Sequence, residues 1–210
     1  MLNPPTKRSL CPQCRRPVTA CICQWVTSIA NVPGVLILQH PLEVNNAKGS
    51  ARLLHLCLQM ANLVEGEQFE ETHLRSLLHA DNKQPILLYP STMQNDADDL
   101  QYEAPEFLLD GQTLANLRLV ILDATWRKSR KMLYLNPLLQ QLPRLSLQDM
   151  SASHYRIRKA HAPDQLSTLE AACYALMQLE QDEEKYQPLL QTFDGFVGQQ
   201  MGFRPLQINP

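Results

Sequence analysis

The chain has 210 residues, 44% of them hydrophobic, and a formal net charge of −2 at pH 7. This length suits one domain of moderate size with a small appendage. The balanced charge excludes a broadly basic nucleic-acid coat, so any RNA binding must use a local basic patch. No stretch approaches the roughly 20 apolar residues of a membrane span, and the N-terminus lacks a secretory signal pattern. We therefore expect a soluble, cytoplasmic protein without a membrane partner.

Four of the six cysteines fall within residues 11–23, in a C-x2-C-x6-C-x-C arrangement. In a cytosolic chain such a cluster is typical of metal ligands rather than disulfides. Four thiolates can close a tetrahedral shell around zinc, and four protein ligands leave no open position for catalysis. We therefore predict a structural zinc knuckle in an N-terminal segment of residues 1–28; the alternative is a reduced, metal-free loop. The predicted ligands are Cys11, Cys14, Cys21 and Cys23.

Two apolar runs in the first half of the chain predict buried strands, one at 34–38 and one at 85–89. Both are stopped by a proline, which does not continue a central strand. His40 and Tyr89 are therefore placed at the C-terminal rim of the sheet. A lone histidine in such a position is more often a structural hydrogen-bonding group than a catalyst.

The segments around these strands give weaker signals. Apolar residues at helical spacing predict a helix at 50–62, with Ser50 capping its start. We expect a short edge strand at 65–72, followed by a loop or helix to residue 79. Residues 91–114 are acidic and irregular, which indicates a solvated loop and a poor surface for phosphates.

The most informative stretch is residues 117–131, where an apolar run ends on Asp123 and is followed by Thr125 and Trp126. An apolar run without alternation indicates a strand buried on both faces of a parallel α/β sheet. Ligands in such sheets bind outside the carboxyl ends of the strands. These three residues are therefore candidates for the site. In the alternative interpretation, Asp123 only caps a helix at 126–135 and Trp126 packs in the core.

Basic residues are concentrated in two places, on the helix at 126–135 and at residues 154–161. Helix faces routinely carry such residues for solubility, so neither cluster alone indicates RNA. Two clusters near one rim do favour RNA, because phosphate contacts supply most non-specific affinity. The predicted RNA-binding residues are Arg127, Lys128, Arg130, Arg156, Arg158 and Lys159.

The C-terminal third completes an alternation of strands and helices. A short strand is expected at 142–147 and a last helix at 187–200. Between them, Ser167 and Glu170 fit a capping box that starts a helix at 168–179. Its first N–H groups are expected to be free to receive a ligand carboxylate. At least three strands alternate with helices, which predicts an α/β protein with a mainly parallel sheet and flanking helices.

Taken together, these motifs resemble the DTW-domain family of tRNA-uridine aminocarboxypropyltransferases. The name-giving D-x-T-W is short, and its order among the other blocks makes the resemblance specific. At position 50 this chain has serine where the family is expected to have threonine more often. Serine keeps the hydroxyl group. The matching blocks are the cysteine knuckle at 11–23, LILQHP at 36–41, AKGSARLL at 47–54, LLYP at 87–90, DATW at 123–126, YRIRK at 155–159 and LSTLEA at 166–171.

The resemblance implies a SPOUT-like fold over residues 29–210, in which a C-terminal knot holds S-adenosylmethionine. It implies catalytic roles for Asp123, Thr125 and Trp126, which belong to the DATW block. The residues implied to line the cofactor or substrate site are Gln39, His40, Tyr89, Pro90, Ser167 and Thr168.

The implied reaction transfers the 3-amino-3-carboxypropyl group of S-adenosylmethionine to N3 of a uridine in tRNA and releases 5′-methylthioadenosine. Asp123 is then the candidate base for the weakly acidic N3–H, and Trp126 stacks on a base. Two other functions stay open: a SPOUT-type RNA methyltransferase and a non-catalytic zinc-containing RNA-binding module. Transfer RNA is the expected partner, and no obligate protein partner is evident.

Overall fold

A single parallel sheet forms the centre of the protein. The computed structural model describes residues 9–90, 105–109, 113–147 and 166–202. In this part of the chain all four strand pairings are parallel, in the order β2-β1-β4-β3-β5. The expected mainly parallel α/β sheet is therefore confirmed. The strands are β1 (Gly34–Gln39), β2 (Ala61–Glu65), β3 (Gln84–Leu88), β4 (Leu117–Asp123) and β5 (Arg144–Leu145).

Helices cover both faces of this sheet. Successive side chains of a strand point to opposite faces, so Ile37 of β1 joins the core under one set of helices and Leu38 joins the other. Apolar runs without alternation therefore correspond to strands buried on both sides, as expected. The described helices are α1 (Ala51–Cys57), α2 (Glu71–Leu78), α3 (Trp126–Leu135), α4 (Pro137–Gln140), α5 (Thr168–Glu180) and α6 (Glu183–Gly202).

Two expected elements are wrong in their bounds. The helix expected at 50–62 ends at Cys57, and the edge strand expected at 65–72 is β2, which lies at Ala61–Glu65. Alanine, asparagine and glutamate are poor strand formers, so the sequence of β2 does not indicate a strand. Pairing with β1, from Val35 opposite Ala61 to Gln39 opposite Glu65, decides its conformation.

The last helix also begins earlier than expected, at Glu183 rather than at residue 187. The Asp182 carboxylate accepts a hydrogen bond of 3.0 Å from the Lys185 backbone N–H, which caps the first turn. By contrast, α3 and the start of α5 lie where the sequence predicted them. None of the described helices is both long enough and apolar enough to cross a membrane.

The carboxyl ends of β1 and β4 lie side by side, with Gln39 opposite Asp123. From β1 the chain runs through α1 to β2, at one edge of the sheet. From β4 it runs through α3 and α4 to β5, at the opposite edge. Open α/β sheets bind ligands in the crevice where the connections diverge in this way. The fold therefore places Asp123 at the position where a ligand site is expected.

The N-terminal cysteine loop packs into the same core as one face of the sheet. Cys14 and Ile22 are buried there with residues of α5 and α6. A Cβ added to Gly195 of α6 would come within 2.1 Å of the Trp25 ring, so glycine permits this close approach. The division of the chain at residue 28, into an N-terminal zinc segment and a second domain, stays a prediction. The SPOUT-like relation and the knot also stay predictions, because residues 148–165 lie outside the described residues.

Candidate functional site at the carboxyl edge of the sheet

Asp123 is held by two hydrogen bonds at the centre of the rim. The Gln39 side-chain amide donates to Oδ2 at 2.8 Å, and the Thr168 hydroxyl donates to Oδ1 at 2.6 Å. The residue is only 5% exposed. Burial raises the pKa of the Asp123 carboxyl, against the opposing effect of the bonds from Thr168 and Gln39.

Asp123 does not cap the helix that follows it. The N-cap position of α3 is occupied by Thr125, whose side chain makes no capping bond. The interpretation of Asp123 as a helix cap is therefore wrong. Its contacts are instead with a neighbouring strand, through Gln39, and with a helix that follows much later in the chain, through Thr168.

A pocket of about 410 Å³ lies beside this carboxylate. Its volume is in the range of small-molecule sites, and its walls are mostly apolar, as in such sites. Asp123 itself is not among the residues that line it, whereas its partner Thr168 is. The pocket is lined by Leu88, Tyr89, Pro90, Ile121, Leu122, Ala124, Trp126, Ser129, Leu145, Ser146, Leu147, Leu166, Thr168 and Ala171.

Trp126 stands at this pocket and is 54% exposed, so the interpretation that it packs in the core is wrong. Its ring meets the Tyr89 ring edge to face, with centroids 5.7 Å apart and planes inclined by 73°. The Ser129 hydroxyl donates to the Trp126 carbonyl at 3.0 Å. The Tyr89 hydroxyl therefore donates to Ser129 Oγ, at 3.2 Å. These bonds fix the aromatic wall of the pocket.

His40 lies at the rim, as expected, and its ring contacts a carboxylate. Its Nδ1 accepts the Leu42 N–H at 3.1 Å, so the proton is on Nε2, which donates to Glu67 at 3.0 Å. Lys131 of α3 also contacts Glu67, at 2.9 Å. Glu67 therefore links His40, at the end of β1, to Lys131 of α3. Of the predicted cofactor residues, Tyr89, Pro90 and Thr168 line the pocket, whereas Gln39, His40 and Ser167 do not.

The first turn of α5 already has acceptors for its N–H groups. Ser167 and Glu170 form the predicted capping box: Ser167 Oγ accepts the Glu170 N–H at 3.3 Å, and the Glu170 carboxylate accepts the Ser167 N–H at 2.9 Å. The Leu169 N–H donates to Ser50 Oγ at 3.2 Å. The expectation that these N–H groups are free for a ligand is wrong for Leu169 and Glu170.

Ser50 has a role that the sequence did not indicate. It occupies the N-cap position of α1 but makes no side-chain capping bond there, contrary to expectation. Its hydroxyl instead accepts from Leu169, which lies 119 positions away in the chain. Only the packing of α1 against α5 brings these two groups together, and no local pattern encodes it.

The four predicted metal ligands converge on one point. All four sulfur atoms lie within 4.8 Å of one another. The Sγ–Sγ distances are 3.6 Å for Cys11 and Cys23 and 3.8 Å for Cys14 and Cys21. A tetrahedral zinc with Zn–S bonds of about 2.3 Å requires sulfurs about 3.8 Å apart. Backbone N–H groups of Cys14 and Gln13 lower the pKa of the Cys11 thiol to about 6, whereas burial and the neighbouring thiols raise the pKa of Cys23 to about 12.

The predicted RNA-binding residues of α3 differ in their surroundings. Lys128 forms an ion pair of 2.7 Å with Glu43, whereas Arg127 is exposed and Arg130 is half-buried. Glu43 and Glu67, which bind the two lysines of α3, were not indicated by the sequence. The other three predicted residues, Arg156, Arg158 and Lys159, lie outside the described residues.

The fold and the site define the class: an α/β protein with a pocket at the carboxyl edge of its parallel sheet and a four-cysteine loop. The family model described as the DTW domain matches residues 8–201, so the chain belongs to the DTW domain family. No solved structure gives a significant match to the chain.

Curated relatives carry the name tRNA-uridine aminocarboxypropyltransferase 2. The chain is 29% identical to the Drosophila melanogaster protein, 28% to the Macaca fascicularis protein and 27% to the Mus musculus protein. These matches cover 90%, 95% and 93% of this chain, and 73%, 66% and 64% of the relatives. Each relative therefore has further residues outside the match.

Proposed function

We propose that this chain is a tRNA-uridine aminocarboxypropyltransferase, which alkylates N3 of a uridine with the 3-amino-3-carboxypropyl group of S-adenosylmethionine. The relatives and the family membership support the activity. The observation that carries the proposal for this chain is the position of its DATW residues. Asp123 is bonded to the pocket residue Thr168, and Trp126 stands at the same pocket.

The pocket provides a suitable place for the alkyl donor. Leu88, Leu122 and Leu147 give it apolar walls, which suit an adenine ring and a thioether. When bound, S-adenosylmethionine supplies an alkyl group on a sulfonium centre, whose departure as a neutral thioether needs no metal or acid. The remaining chemical task for the protein is to deprotonate and position the uridine.

Asp123 is suited to take the proton from uridine N3. The N3–H is a weak acid, so a base with a pKa raised toward neutrality is more effective than an ordinary aspartate. Burial provides such a rise for Asp123. Gln39 and Thr168 each occupy one acceptor position of the carboxylate and fix its orientation. Each oxygen still has acceptor capacity for the proton. Trp126 then presents its exposed ring to a base.

The four cysteines are proposed to hold a structural zinc that supports the rim. Arg16, inside the cysteine loop, donates to the carbonyls of Ala47 at 2.7 Å and Gly49 at 2.9 Å. Its guanidinium also lies 5.1 Å from the centre of the Phe196 ring. Zinc binding by the cysteine loop would therefore hold Arg16 in place. Arg16 in turn supports the segment after β1 and contacts α6 through Phe196.

One assay distinguishes the three candidate functions. The full chain is incubated with S-adenosylmethionine and unmodified tRNA, and the nucleosides and released products are analysed by mass spectrometry. The expected products are 5′-methylthioadenosine and a uridine heavier by the aminocarboxypropyl mass. S-adenosylhomocysteine with a methylated base would identify a methyltransferase instead. Binding of tRNA without either product, over a panel of tRNAs, would favour the non-catalytic RNA-binding module.

A further inference from the structure

The outward side of α3 carries aromatic and basic side chains together. At 3.6 residues per turn, residues four apart lie on the same side of a helix. Trp126, Arg130 and Tyr134 follow this spacing, and Arg127 and Lys131 lie beside them. The opposite side of α3 is buried in the core. We name the outward side, formed by Trp126, Arg127, Arg130, Lys131 and Tyr134, the α3 ridge.

Tyr134 has no evident role in the fold. It is 67% exposed, the highest value for an aromatic residue among the exposed large hydrophobics of the described chain. Tyrosine side chains of structural importance bury their rings, as Tyr89 does against Trp126 and Arg144. A single exposed hydrophobic side chain is ordinary, but Tyr134 lies on the basic helix that begins at the pocket, in line with Trp126 and Arg130.

The charge of the α3 ridge indicates the kind of ligand. The sequence of α3, WRKSRKMLYL, contains no acidic residue. Lys131 is already paired with Glu67, whereas no ion pair to Arg127 occurs within the described part of the chain. An aromatic residue flanked by arginine is the combination that binds unpaired nucleotides, through stacking on the bases and charge contacts with phosphates. Protein interfaces are also enriched in tryptophan, tyrosine and arginine, but they are depleted in lysine, and α3 carries two lysines, Lys128 and Lys131.

We propose that Tyr134 is a second base-stacking residue, which holds an unpaired nucleotide of the tRNA that flanks the target uridine. The eight-residue separation from Trp126 corresponds to about 12 Å along α3. At this distance the two rings contact different bases of one strand. The α3 ridge thus guides the strand from the pocket outward, with Arg127 beside a phosphate. This inference rests on the proposed function for the identity of its partner, tRNA.

The test measures equilibrium binding of unmodified tRNA to the full chain by fluorescence anisotropy, without S-adenosylmethionine, over a series of salt concentrations. Tyr134→Ala should weaken binding about fivefold or more, since stacking of one base contributes about 1–3 kcal/mol. Tyr134→Phe keeps the ring and should bind as the wild type does. Tyr134→Leu keeps an apolar side chain without a ring and should weaken binding as alanine does.

The salt dependence separates stacking from charge. Tyr134→Ala should leave the slope of log K against log salt unchanged, because no phosphate contact is removed. Arg127→Gln should lower the magnitude of this slope by about 0.7–0.9, the value for one lost phosphate contact. Met60→Ala is the matched control: Met60 is also an exposed large hydrophobic residue. It precedes β2, at the edge of the sheet opposite the pocket, and its loss should not change tRNA binding.

Wild-type tRNA affinity in both Tyr134→Ala and Tyr134→Leu, in proteins with unchanged thermal unfolding, would overturn the inference. Full affinity in Tyr134→Leu together with altered self-association in Tyr134→Ala would also overturn it, in favour of a protein-docking surface. The proposed function is tested separately by product formation. A wild-type protein that forms no 5′-methylthioadenosine, but whose Tyr134 variants lose tRNA affinity as stated, would refute the proposed reaction and leave the RNA-stacking role standing.

Discussion

The hydroxyl of Thr168 donates to Asp123 Oδ1 at 2.6 Å, across 45 positions of the chain. This bond joins the carboxyl end of β4 to the first residue of α5. It places a buried carboxylate next to a residue that lines the pocket. The orientation of the candidate base therefore depends on the position of α5, and α5 is itself tied to α1 through Ser50 and Leu169.

Replacing Asp123 with asparagine should impair the reaction more than the fold. Asparagine keeps the shape but cannot accept the N3 proton, so we expect the rate to fall by roughly 10²–10⁴. Thr168 can still donate to the new carbonyl, and Gln39 can rotate its amide to accept from the new NH2 group. Single-turnover rates and thermal unfolding should be measured on the same preparations. A folded Asp123→Asn protein with near-normal turnover would show that Asp123 is not the base.

The pH dependence of both rate and stability should reflect the raised pKa of Asp123. The reaction needs the ionised carboxylate, so the rate should fall as pH falls through this pKa. Stability changes in the opposite sense: the folded protein keeps the proton at pH values where the unfolded chain has lost it. The stabilisation from this group is therefore present at low pH and is lost as pH rises through the raised folded-state pKa.

Asp123→Asn should lack both pH effects. Its residual rate should be flat over the range in which the wild-type rate changes, and its stability relative to wild type should increase with pH in that range. Rate profiles and urea denaturation at matched pH values measure the two effects. An unchanged acid limb in the variant would assign the titration to another group.

The cysteine cluster should bind about one zinc per chain, and this zinc should stabilise the whole protein. Its binding free energy contributes to folding, and the loop packs against α6 and supports residues 47–49 through Arg16. Chelation or Cys14→Ser should therefore lower the free energy of unfolding by several kcal/mol. Cys57→Ala, a buried cysteine outside the cluster, should keep the zinc content. Metal analysis that finds no zinc, with four freely titrating thiols, would refute the site.

Removing the Ser50 hydroxyl should destabilise the rim by leaving a buried N–H of Leu169 without its acceptor. We expect Ser50→Ala to cost about 1–3 kcal/mol, whereas Ser50→Thr keeps the hydroxyl and most of the stability. Ser76→Ala, at an exposed serine of α2, should change stability by less than about 0.5 kcal/mol. Urea denaturation measures all three. Equal stability of Ser50→Ala and wild type would mean that this bond contributes nothing net.

Binding of tRNA should depend on the second basic cluster as well as on α3. Charge reversal at Arg156 or Arg158 should weaken binding, and wild-type affinity should fall steeply as salt increases. Arg75→Glu, at an exposed position of α2 that does not line the pocket, makes the same change of charge and should have little effect. Salt-independent affinity for tRNA would show that phosphate contacts are not its main source.

The sequence by itself determined the features that local physics controls. The apolar runs before His40 and at 119–122 became buried strands, because uninterrupted apolar residues are stable only where both faces of a strand are covered. The starts of α3 at Trp126 and of α5 at Thr168 lie where they were expected. A capping box is formed by residues three positions apart, so its bonds can be read from the sequence. The cysteine spacing likewise predicted the cluster that the structure shows.

Only the tertiary structure decided which distant groups meet. Residues 61–65 form a strand rather than the end of a helix because β1 offers unpaired backbone groups at the edge of the sheet. Asp123 bonds to Gln39 and Thr168 rather than capping α3, because strand register and the docking of α5 bring those donors within reach. Such contacts join segments that are far apart in the chain. Each of these contacts depends on the packing of the whole sheet and its helices, so it cannot be predicted from a local pattern of residues.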